Sequence, residues 1–379
     1  MELNINDGKA KVLAYYLPQF YPNPFNNKWY GEGFTEWTNV GKAKKRAAGQ
    51  YQPKVPADLG YYDLRVPEVA DRQAELAREA GVCGFAYWHY WFGNGEMQLE
   101  MPAERMLYTL KPDFPFMFAW ANESWYKKFW DKSIKNKDIL IEEQKYPGDV
   151  DSRQHFDYCL PFFKDNRYLR INNRPLFMIY KPLSHPDMKG FMSLWNTWIK
   201  EEGVAESFFF IGGVDRNSDF ESILSLGFDC VTFSFLCRMG HVTSRIRQVY
   251  DYTDYKIRRW LNLPRKVDFL SISKYHIWED RYDSLDTVAP LLFPNWDNCA
   301  RAGSRCLYYV NATPDNFAIQ IKNVLSRVMN KKNKLVFLKS WNEWAEGNYM
   351  EPDLKYGKGF IKALGEGVNT FRTEEQREP

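Results

Sequence analysis

The sequence lacks the features of several common protein classes. It has no CxxC or HExxH motif and its five histidines are far apart, so the spacing indicates no zinc site and we expect no metal. No apolar run approaches the length of a membrane-spanning helix. No GxGxxG follows the first predicted strand and no glycine-rich phosphate loop occurs. We therefore expect neither a dinucleotide nor any other cofactor.

The start of the chain and its cysteines bear on the cellular compartment. The first residues, MELNINDGKAKVLAYYLPQF, lack the cationic start, apolar stretch and cleavage site of a secretory signal. Six cysteines are spread widely, and some fall in or beside predicted core strands: Cys83, Cys159, Cys230, Cys237, Cys299 and Cys306. This pattern favours reduced thiols and a cytoplasmic location. A chain whose signal had been trimmed would look the same.

Composition indicates a globular protein. With 379 residues, 45% of them hydrophobic, the chain can bury a large core, and its length alone allows one to three domains. The net charge of +3 is close to balance, so we expect no nucleic acid partner. Aromatic residues are abundant at 17%, and the flat faces of Trp and Tyr suit sugar rings as well as cores. The sequence gives no indication of oligomeric state.

Short apolar runs, rich in aromatic and β-branched residues, predict about eight strands. These are Val12–Leu17, Gly84–Trp91, Phe114–Trp120, Leu176–Tyr180, Phe208–Val214, Cys230–Phe235, Leu291–Pro294 and Lys334–Leu338. Segments with helical periodicity separate them: Pro67–Ala80, Val150–Lys164, Met188–Glu201, Ser218–Leu226 and a helix that opens at Thr313-Pro314. Strands alternating with helices predict a parallel sheet wrapped by helices, and about eight units close a (β/α)8 TIM barrel. A doubly wound open sheet is the alternative.

Two long insertions interrupt the alternation within what we expect to be a single domain, residues 1–379. The first, residues 18–66, contains NKWYGEGFTEWTNV and fits an ordered loop at the strand ends. The second, residues 238–281, holds ten Lys or Arg against five Asp or Glu, with Tyr and Trp interleaved. It fits either a solvated helical insertion that packs on the barrel or a platform for an anionic glycan, a diphosphate-linked donor or the membrane surface.

Polar and aromatic side chains follow several predicted strands, where barrel enzymes place their chemistry. Acids and amides pair with hydroxyl groups and aromatic faces cover sugar rings, so this mixture favours a carbohydrate ligand. The predicted substrate-binding residues are Tyr16, Glu36, His89, Tyr90, Trp120, Asn122, Glu123, Tyr180, Trp296, Asp297, Trp341 and Asn342.

Structural alternatives exist for several of these residues. His89 stands among aromatic side chains and fits a hydrogen-bonded core histidine as well as a contact to a substrate hydroxyl. Glu123 and Asp297 fit loop anchors. Trp120 and Trp296 fit packing at the top of the barrel.

The stretch SWNEWAEGNYMEPD, residues 340–353, follows the last predicted strand and places Glu343 and Glu346 three positions apart. In a helical turn this spacing brings the two Cβ atoms within about 5–6 Å. Two such acids among indoles do not ionise alike, which gives one acid and one base. Glycosidic cleavage needs that division of labour. Solvated loop acids and a helix-capping cluster are the structural alternatives.

Several motifs occur in order along the chain: LAYYLPQFYPN, EGFTEWTNV, GFAYWHYWF, FAWANESW, PLFMIYKP, NWDNCAR and SWNEWAEGNYMEPD. Together, from about Val12 to Phe371, they resemble the WbsX-like family, relatives of glycoside hydrolase family 99. The resemblance implies a (β/α)8 barrel that acts on oligo- or polysaccharides without a metal. Family 99 enzymes are retaining endo-α-mannosidases with an E-W-x-E-G motif, which Glu343 to Gly347 match.

The resemblance also implies roles for the two acids. Glu343 would assist deprotonation of the sugar's own 2-hydroxyl, which attacks the anomeric carbon, and Glu346 would be the acid for the leaving group and then the base for water. Ala345 stands where the hydrolase motif usually has His, which leaves the identity of the sugar open.

Two other functions remain open at the level of sequence. WbsX-like proteins are commonly described as glycosyltransferases of surface polysaccharide biosynthesis, of O-antigen or capsule. Such an enzyme needs a donor site, and the DxD-like Asp149-Val150-Asp151 fits a helix start instead. A non-catalytic glycan-binding barrel is the third hypothesis.

Overall fold

Residues 1–5, 7–128, 138–234, 245–271 and 280–371 are described by a computed structural model, and they contain a barrel of eight parallel strands. The barrel strands β1 to β8 are Lys11–Tyr16, Val82–Gly93, Phe116–Trp120, Arg174–Ile179, Phe209–Val214, Cys230–Phe233, Leu291–Leu292 and Leu335–Leu338. The order of paired strands is β6-β5-β4-β3-β2-β1-β8-β7. All of these pairs are parallel.

The barrel is nearly closed by contacts between β6 and the segment just before β7. The Val231 N–H donates to the Thr287 carbonyl at 2.8 Å, and the Ala289 N–H donates to the Val231 carbonyl at 2.8 Å. Val231 and Val288 form a parallel bridge. The predicted single-domain (β/α)8 barrel is therefore confirmed, and the alternative of an open sheet is not.

Burial explains why the barrel strands are visible in the sequence. β1 and β8 are buried along their whole length. In a barrel, helices cover the outer face and side chains fill the interior, so both faces of each strand are buried and the strand consists of a nearly continuous apolar run.

Helices alternate with the strands. Within the described residues the α-helices α1 to α12 are Pro24–Tyr30, Glu36–Lys42, Pro67–Glu79, Met101–Thr109, Asp149–Lys164, Met188–Glu201, Phe220–Leu224, Arg245–Trp260, Asp280–Asp283, Cys299–Ala302, Pro314–Val328 and Gly359–Thr370. The five predicted helices are present with small differences at their ends. α11 begins after Thr313, whose side chain accepts from the Asn316 N–H. None of the helices in this part of the chain is long and apolar enough to cross a membrane.

Short strands and 3-10 turns lie outside the eight barrel strands. These strands are Glu96–Gln98, Trp125–Lys128, Asp138–Glu142, Arg170–Ile171, Arg265–Asp268, Leu307–Val310, Asn342–Glu343 and Asn348–Tyr349, and the 3-10 turns are Pro182–Ser184, Asn217–Asp219, Gly303–Arg305 and Trp344–Glu346. The first insertion contains α1 and α2. The described part of the second contains α8 and Arg265–Asp268, which pairs in parallel with Leu307–Val310 outside the barrel.

The expectation of reduced cysteines is wrong for one pair. Cys299 and Cys306 form a disulfide with their Cα atoms 4.7 Å apart. α10 and the following turn fold the chain back on itself, which brings these two residues within bonding range. Cys83, Cys159 and Cys230 are free, and Cys237 lies outside the described residues.

Candidate active site

The loop after β8 carries Glu343 and Glu346 into one cavity. Asn342–Glu343 pairs with Asn348–Tyr349 as a short antiparallel ribbon, and Trp344–Glu346 forms a single 3-10 turn between them. Gly347 closes this turn with a φ of 62°. A side chain there would meet the Asp297 backbone N at 2.8 Å, so both the conformation and the space require glycine.

The cavity has a volume of about 820 Å³ and both glutamates border it. A second cavity of about 530 Å³ adjoins it and shares five lining residues with it: Trp88, Glu123, Tyr180, Lys339 and Glu346. Carboxyl, ammonium, phenol and indole groups therefore meet where the two cavities join. A group bound at this junction would lie beside Glu346.

Glu343 is buried, with 4% of its surface exposed. The Trp88 indole N–H donates to Oε1 of Glu343 at 3.0 Å, and Lys339 Nζ lies 3.5 Å from Oε2. The pKa of Glu343 is raised to about 7: burial is the largest cause, the neighbouring Glu346 acts in the same direction, and the cations Lys339 and Arg301 oppose the shift. Near neutral pH a substantial fraction of Glu343 is therefore protonated.

Glu346 has a different partner. Arg301 donates from Nη1 to Oε1 of Glu346 at 2.7 Å and from Nη2 to Oε1 of Glu36 at 2.6 Å. Glu36 is buried and also accepts the Ala345 N–H at 3.1 Å. Burial lowers the pKa of Arg301, but the carboxylates Glu36, Glu346 and Glu343 more than offset this and raise it. The guanidinium is therefore a permanent cation that favours the ionised form of Glu346.

A third acid of the same stretch lies behind the loop after β8. Glu351 is buried and accepts hydrogen bonds from Gln73 Nε2 at 2.6 Å, Trp344 Nε1 at 2.6 Å and the Tyr62 hydroxyl at 3.0 Å. Burial raises the pKa of Glu351 to about 7, against the effect of these hydrogen bonds. Through Trp344, which lies between the two catalytic candidates, Glu351 fixes the loop to α3 and the first insertion.

Several predicted substrate-binding residues border the cavities. Glu36, Tyr90, Asn122, Glu123 and Tyr180 line the first cavity. Glu123 and Tyr180 also line the second. Trp296 lines the second cavity, where Lys339 Nζ lies 5.8 Å from its ring centroid.

Asn122 also has a structural role. Its Nδ2 donates to the Lys181 carbonyl at 2.9 Å, and the Lys181 N–H donates to its Oδ1 at 2.7 Å. These two bonds fasten the loop after β3 to the loop after β4 at the edge of the cavity.

Three other predicted residues face the surrounding helices. The Tyr16 hydroxyl donates to Oε1 of Gln73 at 2.8 Å, Nε2 of His89 lies 2.8 Å from Nε2 of His155, and the Trp120 indole N–H donates to the Trp91 carbonyl at 2.9 Å. Successive side chains of a strand point to opposite faces. Trp88 and Tyr90 border the cavity, so His89 between them points away from the cavity, toward the helices. This agrees with the structural alternative, a hydrogen-bonded core histidine.

Three further predicted residues hold the loops. Asn342 Nδ2 donates to the Leu17 carbonyl at 3.0 Å, and the Leu17 N–H donates to its Oδ1 at 2.8 Å. Trp341 is fully buried and packs on Phe85. Asp297 accepts from Gln50 Nε2 at 3.0 Å, and burial raises its pKa. None of these three lines either cavity.

Sequence reasoning did not include Trp88, Lys339 and Arg301 among the site residues. Trp88 is signalled by its position two residues before Tyr90 on the same strand, which puts both on one face. Lys339 directly follows β8, the same signal that marked its neighbours. Arg301 lies 45 residues from Glu346 and 265 from Glu36 along the chain, and no local pattern links the three.

Two clusters within the described residues have the composition of metal ligands. Asp297, Cys299 and Cys306 form one, but its sulfurs are bonded to each other. The other consists of His89, His155 and Cys159, all buried. Burial lowers the pKa of His89 to about 3 and that of His155 well below its usual value, so both rings are neutral and share one hydrogen bond. We assign this cluster to the packing between β2 and α5.

The fold and the site together define a (β/α)8 barrel protein whose cavity at the strand ends combines two neighbouring carboxyl groups with aromatic and amide side chains. Comparison with known families identifies the group. The chain belongs to the WbsX glycosyltransferase family, because the family model described as Glycosyltransferase WbsX matches residues 12–364.

Similar proteins support the family and the fold. The proteins named WxcX, described as uncharacterized, from two strains of Xanthomonas campestris pv. campestris are 33% identical over 366 residues, which is 95% of this chain. The chain spans 50% of the length of these curated relatives.

Solved structures with a similar fold include the following two. One is described as a glycoside hydrolase-like protein, with a TM-score of 0.59 and 14% identity over 97% of this chain and 95% of the other. Another is the family 99 endo-α-mannosidase from Bacteroides thetaiotaomicron in complex with bis-tris-propane, with a TM-score of 0.54 and 15% identity over 97% of this chain and 98% of the other. At these identities the likeness establishes the fold alone.

Proposed function

We propose that this protein is a glycoside hydrolase that cleaves α-mannoside-like linkages with retention of configuration. The observation that carries the proposal is the pair Glu343 and Glu346, which border one cavity in different electrostatic surroundings. Glycosidic cleavage needs two carboxyl groups in different protonation states, one to protonate the leaving oxygen and one to assist the attack. The aromatic and amide groups of the same cavity suit a sugar.

The surroundings of the pair support one division of roles. Glu343 retains a proton near neutral pH because its pKa is raised to about 7, whereas the guanidinium of Arg301 favours the ionised form of Glu346. We therefore give Glu343 the role of acid and Glu346 the role of base. The resemblance to family 99 implies the reverse division, and the pH dependence of Arg301 variants separates the two.

The reaction takes two steps through participation of the 2-hydroxyl. The oxygen of this hydroxyl attacks the anomeric carbon while the bond to the leaving oxygen breaks. The hydroxyl proton passes to Glu346 and the proton of Glu343 passes to the leaving oxygen, which gives an anhydro-sugar. Water then attacks the anomeric carbon and gives its proton to Glu343, while Glu346 returns its proton to the 2-oxygen. Two inversions give net retention and restore both carboxyl groups.

Transfer to an acceptor is the second candidate, because the family description reads glycosyltransferase. The same pair would serve, with an acceptor hydroxyl in place of water. A donor linked to a diphosphate would need groups that bind it, and the sequence has no glycine-rich phosphate loop. The DxD-like Asp149-Val150-Asp151 forms the first turn of α5, as predicted.

A side-by-side screen of aryl glycosides and nucleotide sugars tests the proposal. We expect release of product with retained configuration from α-mannosides that carry a free 2-hydroxyl. Glu346→Gln should release no product, and Glu343→Gln should release it only from substrates with an activated leaving group. Consumption of a nucleotide sugar with no aryl glycoside cleaved would favour the transferase. Turnover of a 2-deoxy substrate would contradict participation of the hydroxyl, and binding of glycans without turnover of any substrate would favour a non-catalytic barrel.

A further inference from the structure

Helix α8 turns apolar side chains toward solvent. Val249 is 66% exposed, Tyr252 60%, Ile257 52% and Trp260 83%. With 3.6 residues per turn, these four positions lie on one side of the helix. We call this side, extended by the exposed Leu261 and Leu263 just beyond the helix, the α8 face.

The opposite side of α8 makes the polar contacts. Asp254, Tyr255 and Arg258 are partly buried there, and Arg258 Nε donates to Oδ2 of Asp254 at 2.6 Å. The charge of Arg258 also opposes the rise in the pKa of Tyr308 that burial causes. Tyr308 is buried in the two-stranded sheet formed by Arg265–Asp268 and Leu307–Val310. A surface helix of a globular domain normally buries its apolar stripe and exposes its charges. α8 instead exposes an apolar stripe, and packing against the described part of the chain does not cover this stripe.

The surroundings of the α8 face are positively charged. Among the side chains that the structure describes there, four exposed cations lie on α8 or shortly after it: Lys256, Arg259, Arg265 and Lys266. Of the nearby acids, Asp254 is paired with Arg258 and Asp268 accepts from Asn311 Nδ2 at 2.7 Å. The exposed charge beside the apolar stripe is therefore mainly cationic.

We propose that the α8 face docks on the surface of an anionic lipid bilayer. An apolar stripe with Trp and Tyr, flanked by Lys and Arg, is the pattern of helices that lie in the interface between lipid and water. Aromatic rings suit the headgroup level, and the cations complement anionic headgroups. The proposal does not depend on which reaction the cavity performs.

The position of the insertion relates docking to the catalytic cavity. The insertion leaves the barrel at the carboxyl end of β6, the end at which the cavity lies. It also contacts the disulfide-closed loop that carries Arg301: Asn262 Oδ1 accepts from the Ser304 hydroxyl at 2.8 Å, and the Arg265 N–H donates to the Cys306 carbonyl at 2.8 Å. Docking would therefore hold the loop that carries Arg301 near the bilayer.

Co-sedimentation of the full chain with vesicles tests the proposal. We expect binding to phosphatidylcholine vesicles that contain phosphatidylglycerol, weaker binding to phosphatidylcholine alone, and loss of binding as salt is raised. The Ile257→Ser/Trp260→Ser double variant should bind at least about tenfold more weakly, because it removes two exposed apolar side chains that docking would bury in the bilayer. Lys256→Gln and Arg259→Gln should each weaken binding about fivefold. Tyr108→Ser on α4, where Tyr108 is 81% exposed, is the matched control and should bind like the wild type.

The altered side chains are exposed, so circular dichroism should give the same unfolding midpoint for every variant. Absence of binding to phosphatidylglycerol vesicles would overturn the proposal, as would equal binding by the wild type and the Ile257→Ser/Trp260→Ser variant. Sedimentation without lipid tests the alternative that a second copy of the chain covers the α8 face. Self-association that this double variant abolishes, without vesicle binding by the wild type, would make the α8 face an interface between copies of the chain.

Discussion

Replacing Arg301 with Gln removes the cation that contacts Glu346 and keeps a side chain that donates hydrogen bonds. In the proposed mechanism Glu346 is the base and must be ionised. Arg301 favours that ionised form, so its loss makes protonation of Glu346 easier. The acid limb of the pH profile of kcat/KM, which reports the base of the free enzyme, should therefore move to higher pH.

The size of the shift follows from the contact. Two unit charges about 4 Å apart at an effective dielectric constant of about 20 attract by about 4 kcal/mol, or about 3 pH units. Glu36 shares the same guanidinium, and shifts beside one arginine are about 1–3 units. We expect the midpoint of the acid limb to rise by about 1–2 units.

Steady-state kinetics of four forms across pH provide the assay. Arg301→Lys should move the limb less than Arg301→Gln, because it restores the charge without the paired contacts. Glu36→Gln removes the competing carboxylate and should move the limb the other way. The Glu36→Gln/Arg301→Gln double variant avoids an unpaired buried charge, so it checks that the shift in Arg301→Gln is not a folding defect.

A shift confined to the alkaline limb would refute the reasoning. It would mean that Arg301 acts on the acid, and the roles implied by the resemblance to family 99 would stand. Limbs that stay in place in all variants would mean that the guanidinium does not control the protonation of the pair.

Other perturbations have expected results of their own. Activity of the wild type should fall as pH rises through about 7, because Glu343, the acid, loses its proton there; a pH-rate profile checks this. Glu343→Gln should reduce kcat by about 10²–10⁴ on poor leaving groups and much less on an activated aryl glycoside, whereas Glu346→Gln should stay inactive on both. Glu351→Ala should lower the free energy of unfolding by about 3 kcal/mol in urea titrations because it leaves three donors unpaired, and Glu351→Gln should lower it less. Cys306→Ser should lower it by about 2 kcal/mol, and alkylation of the unfolded, unreduced wild type should spare Cys299 and Cys306.

The barrel could be predicted because its determinants are local. Runs such as Leu335–Leu338 are buried on both faces and are apolar throughout, so each strand can be recognised in the sequence as an apolar run. Leu307–Val310 was missed because it pairs outside the barrel with a strand of the second insertion, where no periodic pattern sets it apart. β7 is shorter than predicted, because it contains only two residues. The residues on either side of it are buried and apolar as in a strand but are not part of one.

The site could be predicted only in part. The spacing of Glu343 and Glu346 placed both in one turn, and the structure brings both to one cavity. Proximity to a strand end does not fix which way a side chain points, and alternation along β2 directs His89 to the helices. The contact between Arg301 and Glu36 depends on the tertiary fold, because the first insertion, which carries Glu36, and the loop after β7, which carries Arg301, meet only once the barrel is formed.

The most direct test of the central claim is a titration of the glutamate carboxyl carbons by NMR, with the two signals assigned through Glu343→Gln and Glu346→Gln. The account predicts that Glu343 titrates near pH 7 and that Glu346 is ionised at lower pH than its partner, with the Glu343 midpoint falling in Glu346→Gln. If both carboxyls titrate together near the ordinary value of about 4.3, and neither responds to removal of the other, the two do not form an acid and base pair and the proposed chemistry is wrong.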